Sequence, residues 1–133
     1  MAVEHNKEWY AKIKRISPKN VVLCLAENEK EYLNIPEKFG KFDFVLVDGI
    51  ERERCLARAC SYVKKNGVVL LHDANRNYRI PESKFKHVRF LRDYRKNEGG
   101  FAILANSEVS INMRRYVKIF RIFNTLPLRI LRV

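Results

Sequence analysis

Glycine is scarce in this chain. There are five in 133 residues, and none forms a Gly-x-Gly pair. A glycine-rich loop of the kind that lets backbone amides cradle a phosphate or nucleotide is therefore missing. Cysteine is scarcer still: Cys24, Cys55 and Cys60 are odd in number, show no Cys-x-x-Cys spacing and fall among apolar neighbours. That pattern excludes a disulfide framework and a cysteine-rich metal site, and predicts reduced core thiols. No run of about eighteen uncharged apolar residues occurs, so no membrane-spanning helix is expected, and the first residues carry no apolar signal segment. These absences predict a cytoplasmic location. Acid is missing from one region only. Between Asn112 and Val133 there are Arg114, Arg115, Lys118, Arg121, Arg129 and Arg132 and no Asp or Glu, so half of the net charge of +12 lies in the last sixth of the chain. A partner held by charge would meet that tail, at an anionic membrane surface or on nucleic acid.

What is present is organised around Phe42 to Asn75. Phe42-Asp43-Phe44-Val45-Leu46-Val47 and Gly67-Val68-Val69-Leu70-Leu71 are nearly continuous in β-formers, as strands buried on both faces of a parallel sheet should be. Between them Cys55, Leu56, Ala59, Cys60, Tyr62 and Val63 recur at helical spacing. Lys64 and Lys65 would fill the last turn, with Gly67 as the stop. Strand, helix and strand form one βαβ crossover. Both strands end on polar residues, Asp48-Gly49 and His72-Asp73-Ala74-Asn75, and the carboxyl ends of strands are where open α/β sheets bind ligands.

Upstream, Asn6 can cap a helix with Trp9, Tyr10, Ile13 and Ile16 along one face. Asn20 to Ala26, with Val21-Val22-Leu23-Cys24-Leu25, reads as a buried strand. Asn28 and Glu31 have capping-box spacing for a short helix that Pro36 limits. Downstream, His87 to Tyr94 and Phe101 to Ala105 flank Asn97-Glu98-Gly99-Gly100 and predict an antiparallel hairpin. Alternation of strands and helices gives an α/β class with a mainly parallel sheet. Residues 1–106 would form this domain. Residues 107–133 would form a basic amphipathic tail, with Met113, Tyr116, Val117, Phe120 and Phe123 on one helical face.

Taken together, Val3-Glu4-His5-Asn6-Lys7-Glu8-Trp9-Tyr10, Phe42 to Gly49 and Gly67 to Asp73 resemble the class I S-adenosylmethionine-dependent methyltransferases, over about Ala2 to Ala105. The resemblance implies an incomplete Rossmann-like fold. It implies that Glu4 ends the second family strand and binds the cofactor's ribose, that Asp48 ends the fourth and lines the site, and that His72 and Asp73 end the fifth and face the substrate. The family's first strand and its glycine-rich loop would precede Val3, and the strand would lie in mid-sheet between the second and the fourth. Its absence predicts one of three remedies: the second strand closes directly on the fourth, a partner chain or second copy covers the open edge, or the protein starts further upstream.

The expected roles follow. Asp48 or His72 would act as base, with Asp73 as a possible orienter, although adjacent strand residues point to opposite faces. Glu4 and Asp48 would contact S-adenosylmethionine. The plainer reading of Asp48 is a cap on the following helix. Asp48 and Asp73 are also similar to the magnesium carboxylates of catechol-type methyltransferases, but Asn75 comes one place late, and no metal is expected. Arg52 and Arg54 are expected to be solvated or paired with Glu51 and Glu53. The function implied is methyl transfer to an unidentified acceptor. The alternative is a non-catalytic remnant that binds a membrane surface or nucleic acid through Asn112 to Val133.

Overall fold

The computed structural model describes residues 1–91 and 98–106. The predicted tail helix, the tail's binding roles, the last three residues of the predicted strand His87 to Tyr94 and the first residue of the hairpin turn, Asn97, lie outside the described residues. The elements run β1 (Ala2–Glu4), α1 (Lys7–Ile16), β2 (Leu23–Leu25), α2 (Glu29–Asn34), β3 (Phe42–Val47), α3 (Arg52–Tyr62), β4 (Val63–His72), β5 (His87–Leu91) and β6 (Phe101–Ala105). Single 3₁₀ turns cover Ile35–Phe39 and Glu82–Lys84. The class is α/β, as the alternation predicts.

The strands form two sheets. β1 and β2 pair in parallel, and β3-β4-β6-β5 form a four-stranded mixed sheet. Within the latter β3 and β4 are parallel, while β6 is antiparallel to both β4 and β5. The expected βαβ crossover and terminal antiparallel pair are therefore present, but the expectation of a mainly parallel sheet is corrected: two of the three pairings in this sheet are antiparallel, because the chain returns through a hairpin. β1 is not hydrogen-bonded to β3. This corrects the first remedy, direct closure of one strand on the other: β1 and β3 stay in separate sheets, and the two pieces meet through side chains instead. Val3, Ala26, Tyr32 and Ile35 form a small core that reaches Ile50 and Cys55 at the start of α3. The larger core lies between α3 and one face of the four-stranded sheet, around Leu56, Val69, Leu71 and Leu104, which are free of solvent.

Two local expectations are corrected. Gly67 does not stop the helix. α3 ends at Tyr62, and β4 starts at Val63, where the backbone turns extended. β4 pairs with β3 at Phe42↔Val63 and next at Phe44↔Val68, so β4 carries three extra residues in a bulge. Lys64 lies in that bulge and pairs with Asp43 at 2.8 Å. Gly67 closes it: a Cβ there would meet Val63 Cγ2 at 2.7 Å and the Phe42 and Asp43 carbonyls at 2.9 Å. The residue is glycine because two backbones pass too close for a side chain. The stripe on α1 is also only partly used. Asn6 caps the helix as expected, accepting from the Trp9 amide at 3.0 Å. Ile13 is buried, but Trp9 and Ile16 are 57% and 75% exposed, because a two-stranded sheet is too narrow to cover the whole stripe.

Candidate functional site

The ends of β3 and β4 converge. Parallel pairing at Val47↔Leu71 puts the next residues, Asp48 and His72, side by side. His72 Nδ1 lies 2.6 Å from Asp48 Oδ1. Asp73 then leaves the strand with φ +56°, a left-handed conformation that aspartate tolerates better than most residues. That step breaks the strand's alternation, so Asp73 does not point away from His72 as a pleated strand would require. Its Oδ1 comes to 3.5 Å from His72 Nδ1, and it accepts a hydrogen bond from the Gly99 amide at 2.9 Å. The hairpin glycine thus braces the acid from across the sheet.

Arg52 is the residue that sequence reasoning misplaced. It is neither solvated nor paired with Glu51 or Glu53. Its Nε donates to the Gly49 carbonyl at 3.0 Å. Nη1 donates to the His72 carbonyl and to Asp73 Oδ2, each at 3.0 Å. Nη2 donates to the Asp48 carbonyl at 3.0 Å and to Asp48 Oδ1 at 3.4 Å. The signal was available: Arg52 follows Asp48 by four places on the first turn of the next helix, so its side chain reaches back over the strand ends. The guanidinium also lies 5.7 Å from the Tyr78 ring centroid. Arg54 behaves as expected in part, pairing with Glu51 at 3.8 Å and also with Glu29.

All three charged side chains are largely enclosed; Asp48, Arg52 and Asp73 keep 9%, 12% and 14% of their surfaces. Burial raises the Asp73 carboxyl, but the Gly99 amide and the Arg52 guanidinium outweigh it and hold the group below its ordinary value. Asp48 does not cap α3, which corrects the plainer expectation. The cap position belongs to Glu51, in a left-handed conformation with no side-chain cap bond, and Asp48 turns to His72 and Arg52. Cys55, beside the second core, is pushed up to about 11 by burial, with Glu51 adding, so its thiol stays protonated and weakly nucleophilic. The three cysteines are free and partly buried.

Chemically, this is an Asp–His pair with a second carboxylate and a clamping cation. With Nδ1–H donated to Asp48, the lone pair of His72 sits on Nε2. The neighbouring carboxylate would then stabilise the imidazolium formed on taking a proton. The ring packs on Phe101 at 5.0 Å between centroids, and a fifth of the side chain reaches solvent. Asp48, His72 and Asp73 each offer a ligand atom, all within 4.8 Å of one another, a donor set that suits a divalent cation by type.

Glu4 stands apart from this group. It ends β1, as expected, and is buried, but its Oε1 accepts from the His5 and Asn6 amides, each at 2.7 Å. The carboxylate is thus folded onto its own turn. Nor does a glycine follow β1: the described glycines lie at the 3₁₀ turn, after β3, in the bulge and in the hairpin. The described residues supply no cradle for the methionine end of S-adenosylmethionine, and the fit to that cofactor is incomplete. A groove of about 470 Å³ lined by Glu53, Ala57, Arg79, Ile80 and Pro81 shares no residue with the cluster. No helix among the described residues is long and apolar enough to cross a membrane. No protein-family model matches the chain, and no curated protein matches it.

Proposed function

We propose that this chain forms the acceptor side of a methyltransferase-like centre of the Rossmann type, in which His72, held by Asp48, removes a proton from an oxygen or nitrogen acceptor. The observation that carries the reading is the 2.6 Å contact of His72 with Asp48 at the adjoining carboxyl ends of two parallel strands. A second observation agrees with it. β1 and β3 are not hydrogen-bonded to each other, and the resemblance leaves a strand out between them. In such a centre the acceptor gains a methyl group by direct displacement, and the protein's part is to position it and remove its proton. His72 and Asp48, the pair that would remove that proton, both lie in this chain. The described residues do not supply the main cofactor cradle.

The second reading is a basic binding module working through Asn112–Val133, favoured by the acid-free run of six cations there. Calorimetric titration with S-adenosylmethionine separates the two. Saturable heat at micromolar cofactor, kept in Glu4→Gln only if Glu4 is not a ligand, supports the first. No heat, together with salt-sensitive binding to anionic vesicles that truncation after residue 106 abolishes, supports the second.

A further inference from the structure

The Arg52 guanidinium has five N–H groups, and each faces an acceptor: the Gly49, Asp48 and His72 carbonyls and one oxygen each of Asp48 and Asp73. No donor is left for a ligand. The acceptors belong to the ends of two neighbouring strands, so the side chain is both a clasp and a counter-charge. It also lies between the two carboxylates that, with His72, make up the donor set suited to a divalent cation.

We propose that Arg52 is the built-in cation of this centre: it takes the place between Asp48 and Asp73 that a divalent metal would otherwise occupy, and makes the Asp48–His72–Asp73 cluster independent of metal. Two buried carboxylates without a counter-ion are costly to hold side by side, and either an ion or a protonated base can neutralise them. A guanidinium does so with fixed directions. It satisfies carbonyls as well as carboxylates, which leaves Asp48 oriented on His72. A metal entering here would have to expel Arg52 and leave three backbone carbonyls without their donors. Arg52 is thus a positioning residue for the Asp48–His72 pair. The inference concerns the side chains of the proposed function but does not rest on it, because its test involves no cofactor.

The test is Mn²⁺ titration followed by paramagnetic broadening of the histidine ring signals, with His87 as the distant control. Wild-type chain is expected to show no selective broadening of His72 below about 1 mM Mn²⁺, the range of weak divalent sites. R52Q is expected to gain saturable, His72-selective broadening in that range. R52Q/D73N is expected to lose the gain, and R52K, which keeps a cation, to behave as wild type. R52M, which keeps an apolar stem against Tyr78, repeats the measurement should R52Q fail to fold. Selective broadening of His72 in the wild type, or its absence in a folded neutral variant at Arg52, would overturn the proposal. A null result with S-adenosylmethionine leaves it untouched.

Discussion

The two sheets of this molecule are built by different means. In the four-stranded sheet, β4 has neighbours on both sides, and Val69, Leu71 and Leu104 pack with Leu56 and Ala59 in a solvent-free layer. The β1–β2 pair has three residues per strand, and its core is four residues, Val3, Ala26, Tyr32 and Ile35. A two-stranded sheet of that size does not stand alone in water. It persists here because its core continues into Ile50 and Cys55 at the head of α3. The first region holds the candidate site rigidly, and the second leans on it. Stability is thus concentrated around β4, and the strand that ends at Glu4 draws on a smaller reserve.

Four measurements test that contrast. Leu71→Ala empties a fully buried position in the larger core and should cost about 3 kcal/mol in urea unfolding. A loss under about 1 kcal/mol would mean the core is not where the contrast puts it. Val3→Ala should cost about 1.5 kcal/mol, felt locally. Amide exchange in β1 and β2 should accelerate while β4 amides keep their protection. Equal acceleration in both sheets would join them into one cooperative unit. Asp73→Asn should cost about 1 kcal/mol near neutral pH through loss of the carboxylate charge that accepts from Arg52 and from the Gly99 amide. Because the folded carboxyl sits below its unfolded value of 3.8, that contribution is complete above that pH and is lost as pH falls through the lower folded value. The wild-type and variant unfolding curves should therefore converge as the pH is taken down through that lower value. Asn28→Ala removes the cap of α2, where the Asn28 side chain accepts from the Glu31 amide at 2.9 Å. It should cost about 0.5–1 kcal/mol, read as a small shift of the urea midpoint.

Much of this was legible in the residues, because the strongest signals are local. The apolar run Phe42 to Val47 and the hairpin strand Phe101 to Ala105 are found within their expected limits. Asn6 and Asn28 cap the helices they precede. The polar strand ends did mark the cluster: Asp48, His72 and Asp73 come together. What sequence reasoning missed depends on backbone steps that side-chain periodicity does not encode. The bulge at Gly67 is one, since a glycine after a helix is equally a stop signal or a point of close approach. The left-handed turn at Asp73 is another, and it alone decides that neighbouring residues share a side. Arg52 was missed because an arginine at a helix start is usually solvated; here two carboxylates and three carbonyls lie within its reach.

β3 has a strand neighbour on one side only, among the described strands. Phe44 and Leu46 stand 49% and 36% exposed along it. Phe42-Asp43-Phe44-Val45-Leu46-Val47 is a six-residue, β-prone stretch whose one charge is Asp43, already engaged by Lys64. Such a border is a template for fibril-like stacking of one molecule on another. The ion pair therefore has a second consequence: it holds at the second position of that border, Asp43, the kind of charge that discourages self-association.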